Sequence, residues 1–151
     1  VDWYKSQVLR LNAQEGKTIP SLAFFHIPLT QYRTAYDLWL QKSNEVVRYF
    51  GENRQGGKSV ATIGCSENPG KLFDTAKELG STQGFFCGHD HFNNMSLEYQ
   101  GMRLTYGMSI DYLVSPGIVD RTGQRGATLI TLDHSGTMDA EQLPLSAIVK
   151  Q

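Results

Sequence analysis

Apolar residues at Tyr4, Val8 and Leu11 recur at i, i+4 and i+7 behind Asp2, a spacing that predicts an amphipathic helix capped by Asp2 and ending near Gly16. From Ile19 to Ile27 the chain is nearly all apolar apart from Ser21 and His26, the pattern of a strand buried on both faces, and Pro28 closes it. Between Thr34 and Phe50 the apolar positions Ala35, Leu38, Trp39, Val46, Tyr49 and Phe50 have the spacing of a helix, in which the polar stretch from Gln41 to Asn44 is a candidate break. Gly51 to Lys58, rich in glycine and polar residues, reads as a surface loop. Asn68-Pro69 has the form of an N-cap followed by proline in the first turn. Leu72, Phe73, Ala76 and Leu79 then share a face before Gly80 stops the helix.

Downstream the period changes. Gly84-Phe85-Phe86-Cys87 reads as a short buried strand. Met95, Leu97 and Tyr99 alternate with polar positions, as do Met102, Leu104 and Tyr106, and Gln100-Gly101 between them predicts a tight hairpin turn. Ala127 to Leu132 is a further strand, turned by His134-Ser135-Gly136 into a last one ending near Leu145. Helices with buried strands come first and antiparallel hairpins after, without a repeat, so the fold class is α/β tending to α+β, with a mixed sheet and C-terminal antiparallel hairpins in one unit, residues 1–151.

Composition narrows the function classes only slightly. A chain of 151 residues with 40% hydrophobic and 19% charged residues buries a useful core. Fifteen acidic against fourteen basic residues give no electrostatic case for nucleic acid or an anionic membrane. The longest apolar stretch, Ser21 to Leu29, is far short of the roughly 20 residues of a membrane span. Val1-Asp2-Trp3-Tyr4 has neither an initiator methionine nor signal-peptide regions, so it reads as starting inside a longer product. Cys65 and Cys87 are too few for a disulfide framework and read as buried free thiols.

The chemistry sits in two short words. Phe25-His26-Ile27-Pro28 ends one apolar run and Gly88-His89-Asp90-His91 ends another, placing three imidazoles at two strand ends. In an extended backbone His89 and His91 leave the same face and approach a common cluster, and Gly88 permits close backbone approach. Neutral imidazole is a borderline ligand for zinc, iron and manganese, and its second ring nitrogen holds an orienting partner. A lone histidine ending an apolar run is more often a hydrogen-bonded core residue. The two motifs in order favour a metal site. Asp90, pointing to the opposite side, reads as a turn or outer hydrogen-bonding residue rather than a ligand; Asn93 fits both a turn and a polar outer layer of the site.

These residues resemble the calcineurin-like metallophosphoesterases, whose final motifs are His-x-Pro and Gly-His-x-His. More narrowly, Phe24-Phe25-His26-Ile27-Pro28-Leu29 and Gly88-His89-Asp90-His91-Phe92-Asn93-Asn94 are similar to the purple-acid-phosphatase-related branch. The resemblance covers residues 2 to 133. It implies the C-terminal half of a four-layer α-β-β-α sandwich and a dinuclear site, with iron, zinc or manganese in divalent or trivalent form, in which a metal-bridged hydroxide attacks a phosphate ester. It further implies that His26 and His89 bind the second metal and His91 the first. The family's earlier ligands lie in an Asp-x-His pair, a Gly-Asp motif and an Asn-His pair, and no such pairs occur in this sequence.

Three imidazoles without a carboxylate compensate two multivalent ions poorly, so the chain is expected to hold at most one weakly bound ion and to be inactive without the N-terminal half of its domain. Two other readings stand beside this one. The first is a non-catalytic binding or assembly module that dimerises through exposed half-domain surface. The second is a mononuclear hydrolase liganded by His26, His89 and His91, with Asp90 or Asp111 as base. Tyr106-Gly107 is similar to a family segment near the active-site mouth. Arg121 and Arg125 flank Gly123 as solvated loop arginines with a capacity to hold phosphate, and His134 is a surface turn residue. The resemblance alone suggests an extracytoplasmic parent.

Overall fold

The computed structural model describes residues 1–55, 62–121 and 123–148. In chain order the elements are α1 (Asp2–Glu15), β1 (Ser21–Phe24), α2 (Thr30–Leu40), β2 (Val46–Phe50), α3 (Leu72–Leu79), β3 (Thr82–Cys87), β4 (Ser96–Tyr99), β5 (Met102–Tyr106), β6 (Gly126–Leu132), β7 (Met138–Pro144) and α4 (Leu145–Ile148). Five strands form one mixed sheet in the order β1-β3-β5-β4-β2, and β6 pairs with β7 in a separate antiparallel hairpin. The fold is α+β. β1, β3 and β5 run parallel, so their carboxyl ends lie side by side at one edge of the sheet.

One face of this sheet carries the core. Phe85, Leu97, Leu104 and Tyr106 alternate onto that face and are buried with Tyr32, Ala35, Phe73 and Ala76 from the helices. Full burial of each large side chain in this cluster stabilises by about 1.5–3 kcal/mol. The hairpin β6–β7 is tied to the sheet by polar bonds. Gln142 Nε2 donates to the carbonyls of Asn94 and Tyr106, each at 3.0 Å, and Thr128 Oγ1 accepts the Met108 N–H at 2.9 Å.

Several expectations shift. The first helix is capped by Val1 rather than Asp2 and does end at Gly16. The first strand is shorter than Ile19 to Ile27 and is not buried on both faces: as an edge strand it pairs only with β3, and Phe24 is 64% exposed. The run from Thr34 to Phe50 is not one helix. It divides at the polar stretch, and Val46–Phe50 becomes a strand because its β-branched and aromatic residues pair antiparallel with β4. Asn68-Pro69 does not start α3. The Ser66 hydroxyl accepts the Asn68 N–H in a local turn, Gly70 disfavours helix, and the helix begins at Leu72. The β4–β5 hairpin turns at Gln100 and Gly101, both at positive φ (51° and 78°), as its two-residue connection requires. Gly56 to Lys58 of the expected loop lie outside the described residues. Both thiols are free, Cys87 buried and Cys65 half-buried. No helix among the described residues is long and apolar enough to cross a membrane.

Candidate metal centre

The parallel pairing of β1 with β3 runs past the strand ends. Phe25 N–H donates to the Phe86 carbonyl at 3.0 Å, and Gly88 N–H donates to the His26 carbonyl at 3.1 Å. The two histidine words are therefore held abreast by main-chain bonds. His26 Nε2 lies 3.4 Å from His89 Nδ1, and the two rings meet edge to face with centroids 5.2 Å apart. That separation is long for a good hydrogen bond. It matches the roughly 3.3 Å between two imidazole nitrogens sharing one tetrahedral ion at about 2.0–2.1 Å from each.

His89 reaches this place through a backbone at φ 73°, the left-handed region, which costs a side-chain-bearing residue about 1–2 kcal/mol. The segment is thus a turn and not the extended backbone expected from spacing. Asp90 N–H bonds back to the Gly88 carbonyl at 2.9 Å, and Asn93 N–H to the Asp90 carbonyl at 2.9 Å.

Asp90 is buried inside that turn. Its Oδ2 accepts the Tyr106 hydroxyl at 2.6 Å and the Gly64 N–H at 2.9 Å. Tyr106 is 2% exposed and its hydroxyl is committed to Asp90, so it lies beneath this turn. Burial first, then Cys87 and Asp90, push the Tyr106 phenol far above its usual value, so it stays a donor. Gly88 is not the tightest approach in this region. A Cβ on Gly64 would stand 2.5 Å from Asp90 Oδ1 and 2.8 Å from His89 Cδ2, so Gly64 is a residue that sequence reasoning missed. Asn93 is 1% exposed, its Oδ1 accepts the Met95 N–H at 3.0 Å, and its Nδ2 has no partner among the described residues.

His91 faces other neighbours. Its Nδ1 lies 2.6 Å from Asp111 Oδ2 and 2.8 Å from Ser115 Oγ. Among the described residues no three His, Cys, Asp or Glu side chains converge as a metal-holding group. The three imidazoles His26, His89 and His91 thus do not form a single cluster among the described residues. The pair His26–His89 fits two positions on one ion, and His91 stands apart from it with its own carboxylate.

The loop arginines are stacked on aromatic rings. The Arg121 guanidinium lies 5.2 Å from the Phe92 ring centre, and that of Arg125 lies 5.5 Å from the Tyr112 ring centre. His134 is exposed in the β6–β7 turn. It lines an open cleft of about 440 Å³ with Lys17, Ser21 and Gln83, where β1 and β3 begin, at the opposite end of the strands from the histidine words.

No protein-family model matches the chain, and no solved structure matches it. It is similar to "Probable inactive purple acid phosphatase 29" of Arabidopsis thaliana, 34% identical over 101 residues that make up 67% of this chain and 22% of that protein. It is also similar to "Probable inactive purple acid phosphatase 28" of the same plant, 29% identical over 93 residues, 62% of this chain and 20% of the relative. "Probable inactive purple acid phosphatase 14" is 27% identical over 110 residues, 73% of this chain and 24% of its own length. The matched segment thus spans less than a quarter of each of these relatives.

Proposed function

From a chain that carries a metallophosphoesterase region related to the purple acid phosphatases, we propose that it supplies one side of a phosphoester hydrolase site: His26 and His89 as ligands of one ion, His91 as a ligand of the other, and the strand ends that hold them. The observation that carries this is the 3.4 Å between His26 Nε2 and His89 Nδ1, a spacing suited to two ligands of one ion. Bound metal supplies charge stabilisation at the phosphorus of a phosphate ester. The chain's own residues do the positioning. Main-chain bonds hold His26 beside Gly88, and the buried Asp90 fixes the turn that presents His89 and His91.

In this reading the domain is a four-layer sandwich of which the chain forms the C-terminal half, and the carboxylate ligands come from the N-terminal half. The isolated chain is inactive and binds one ion weakly. Zinc titration should shift the ring signals of His26 and His89 together, and His26→Ala should abolish both shifts. Adding the N-terminal half should restore hydrolysis of an aryl phosphate monoester. Inactivity of the joined halves at full metal occupancy would refute the proposal.

A non-catalytic assembly module is the second reading. It is favoured by the word "inactive" in the relatives' names and by the open apolar surface at Phe24 and Val47, which are 64% and 53% exposed. It expects self-association as concentration rises from micromolar to millimolar, and a strictly monomeric chain in sedimentation would count against it.

A further inference from the structure

Asp111 is held more firmly than a loop carboxylate needs to be. Its Oδ1 accepts the N–H groups of Leu113 and Val114 at 3.0 and 2.8 Å, and its Oδ2 accepts the Ser115 N–H at 2.8 Å. Its own N–H donates to Ser109 Oγ at 2.9 Å. The side chain is 4% exposed although Ile110, Leu113 and Val114 around it are 84%, 84% and 79% exposed. Polar bonds therefore set this loop's shape.

An anion fixed in this way leaves His91 little choice. At 2.6 Å from Asp111 Oδ2, a lone pair on Nδ1 would face a carboxylate oxygen, whereas an Nδ1–H donates to it. The proton belongs on Nδ1, and the remaining lone pair is on Nε2, at the far side of the ring. We infer that Asp111, with Ser115 beside it, is a positioning residue that locks His91 in the Nδ1–H tautomer and presents Nε2 as the ligand nitrogen. This inference rests on the reading of His91 as a metal ligand. It also separates His91 from His26 and His89, whose facing ring nitrogens have each other as neighbours.

The test is a long-range 1H–15N correlation spectrum of the 15N-labelled 151-residue chain without metal, at alkaline pH. Wild-type His91 should be the Nδ1–H form, and exposed His134 should show the mixture of an unconstrained imidazole. In Asp111→Ala, His91 should adopt that mixture. With the N-terminal half added, zinc should perturb wild-type His91 at Nε2, with apparent affinity at least about tenfold weaker in Asp111→Ala. An Nε2–H or mixed His91 in the wild type overturns the inference without any variant, as does an unchanged tautomer in Asp111→Ala. If the tautomer is as stated but zinc moves none of the three histidines, the metal reading falls and takes the positioning role with it. The two failures are thereby told apart.

Discussion

Replacing Tyr106 with phenylalanine should cost more stability than replacing Tyr32, although both are buried aromatic donors in edge-to-face contact at 5.3 Å. The difference lies in what each hydroxyl meets. Tyr32 donates to a neutral carbonyl, that of Phe85, at 2.7 Å, and removal of such a bond costs about 0.5–1.5 kcal/mol. Tyr106 donates to a carboxylate, Asp90 Oδ2, at 2.6 Å, and a hydrogen bond to a charged group contributes about 1.5–3 kcal/mol. Once that donor is gone, the buried Asp90 keeps, among the described residues, the Gly64 N–H, at 2.9 and 3.2 Å to its two oxygens. The phenylalanine ring retains the apolar contacts, so little cavity cost is added. Urea denaturation should show a lower midpoint at unchanged slope, equivalent to about 2 kcal/mol for Tyr106→Phe and about 1 kcal/mol for Tyr32→Phe. In thermal unfolding the former amounts to about 4–8 °C for a chain of this size. Equal losses, or a larger loss in Tyr32→Phe, would refute the argument that Asp90 acts as the charged anchor of the turn.

Replacing His89, the proposed ligand, in two ways should split stability from binding. His89→Ala and His89→Gly should lose zinc equally by calorimetry, but the glycine variant should be the more stable by about 1 kcal/mol, because the φ of 73° suits glycine; equal midpoints would remove the strain argument. Gly64→Ala should displace the His89 ring and Asp90, lowering stability by about 1–3 kcal/mol and weakening zinc binding; a variant with wild-type zinc shifts would show that the turn has slack. The Asp133 carboxyl is held below its usual range by hydrogen bonds from the Ser135 hydroxyl and the Thr137 and Ser135 amides. A depressed carboxyl contributes above its unfolded value of about 3.9 and ceases to contribute as pH falls through the folded value. Hydrogen-exchange protection of the β6–β7 turn should therefore decline below about pH 4, and Asp133→Asn should flatten that decline; identical profiles would refute it.

The elements legible in the sequence were those with one consistent period. The helix ended by Gly16, the strand before Gly88 and the hairpin through Gln100-Gly101 each had local signals that agreed. Val46–Phe50 was ambiguous because Val46, Tyr49 and Phe50 satisfy helical spacing while their residue types favour a strand, and the choice is made by pairing with β4. The histidines of the site were visible as motifs, whereas their supports were not. Asp111 meets His91 across 20 positions and Gly64 meets Asp90 across 26, and no local periodicity encodes either contact.

His26 and His89 stand 63 positions apart and become neighbours only when β1 pairs in parallel with β3. Closing so long a stretch by parallel pairing is intrinsically slow, since its entropy is lost before any contact compensates. A metal ion would then find no preformed pair of nitrogens on the unfolded chain and could not nucleate the fold. It would act afterwards, by mass action, raising the unfolding temperature with ion concentration while leaving the folding rate unchanged. The histidine pair is in this sense a latch on a finished sheet.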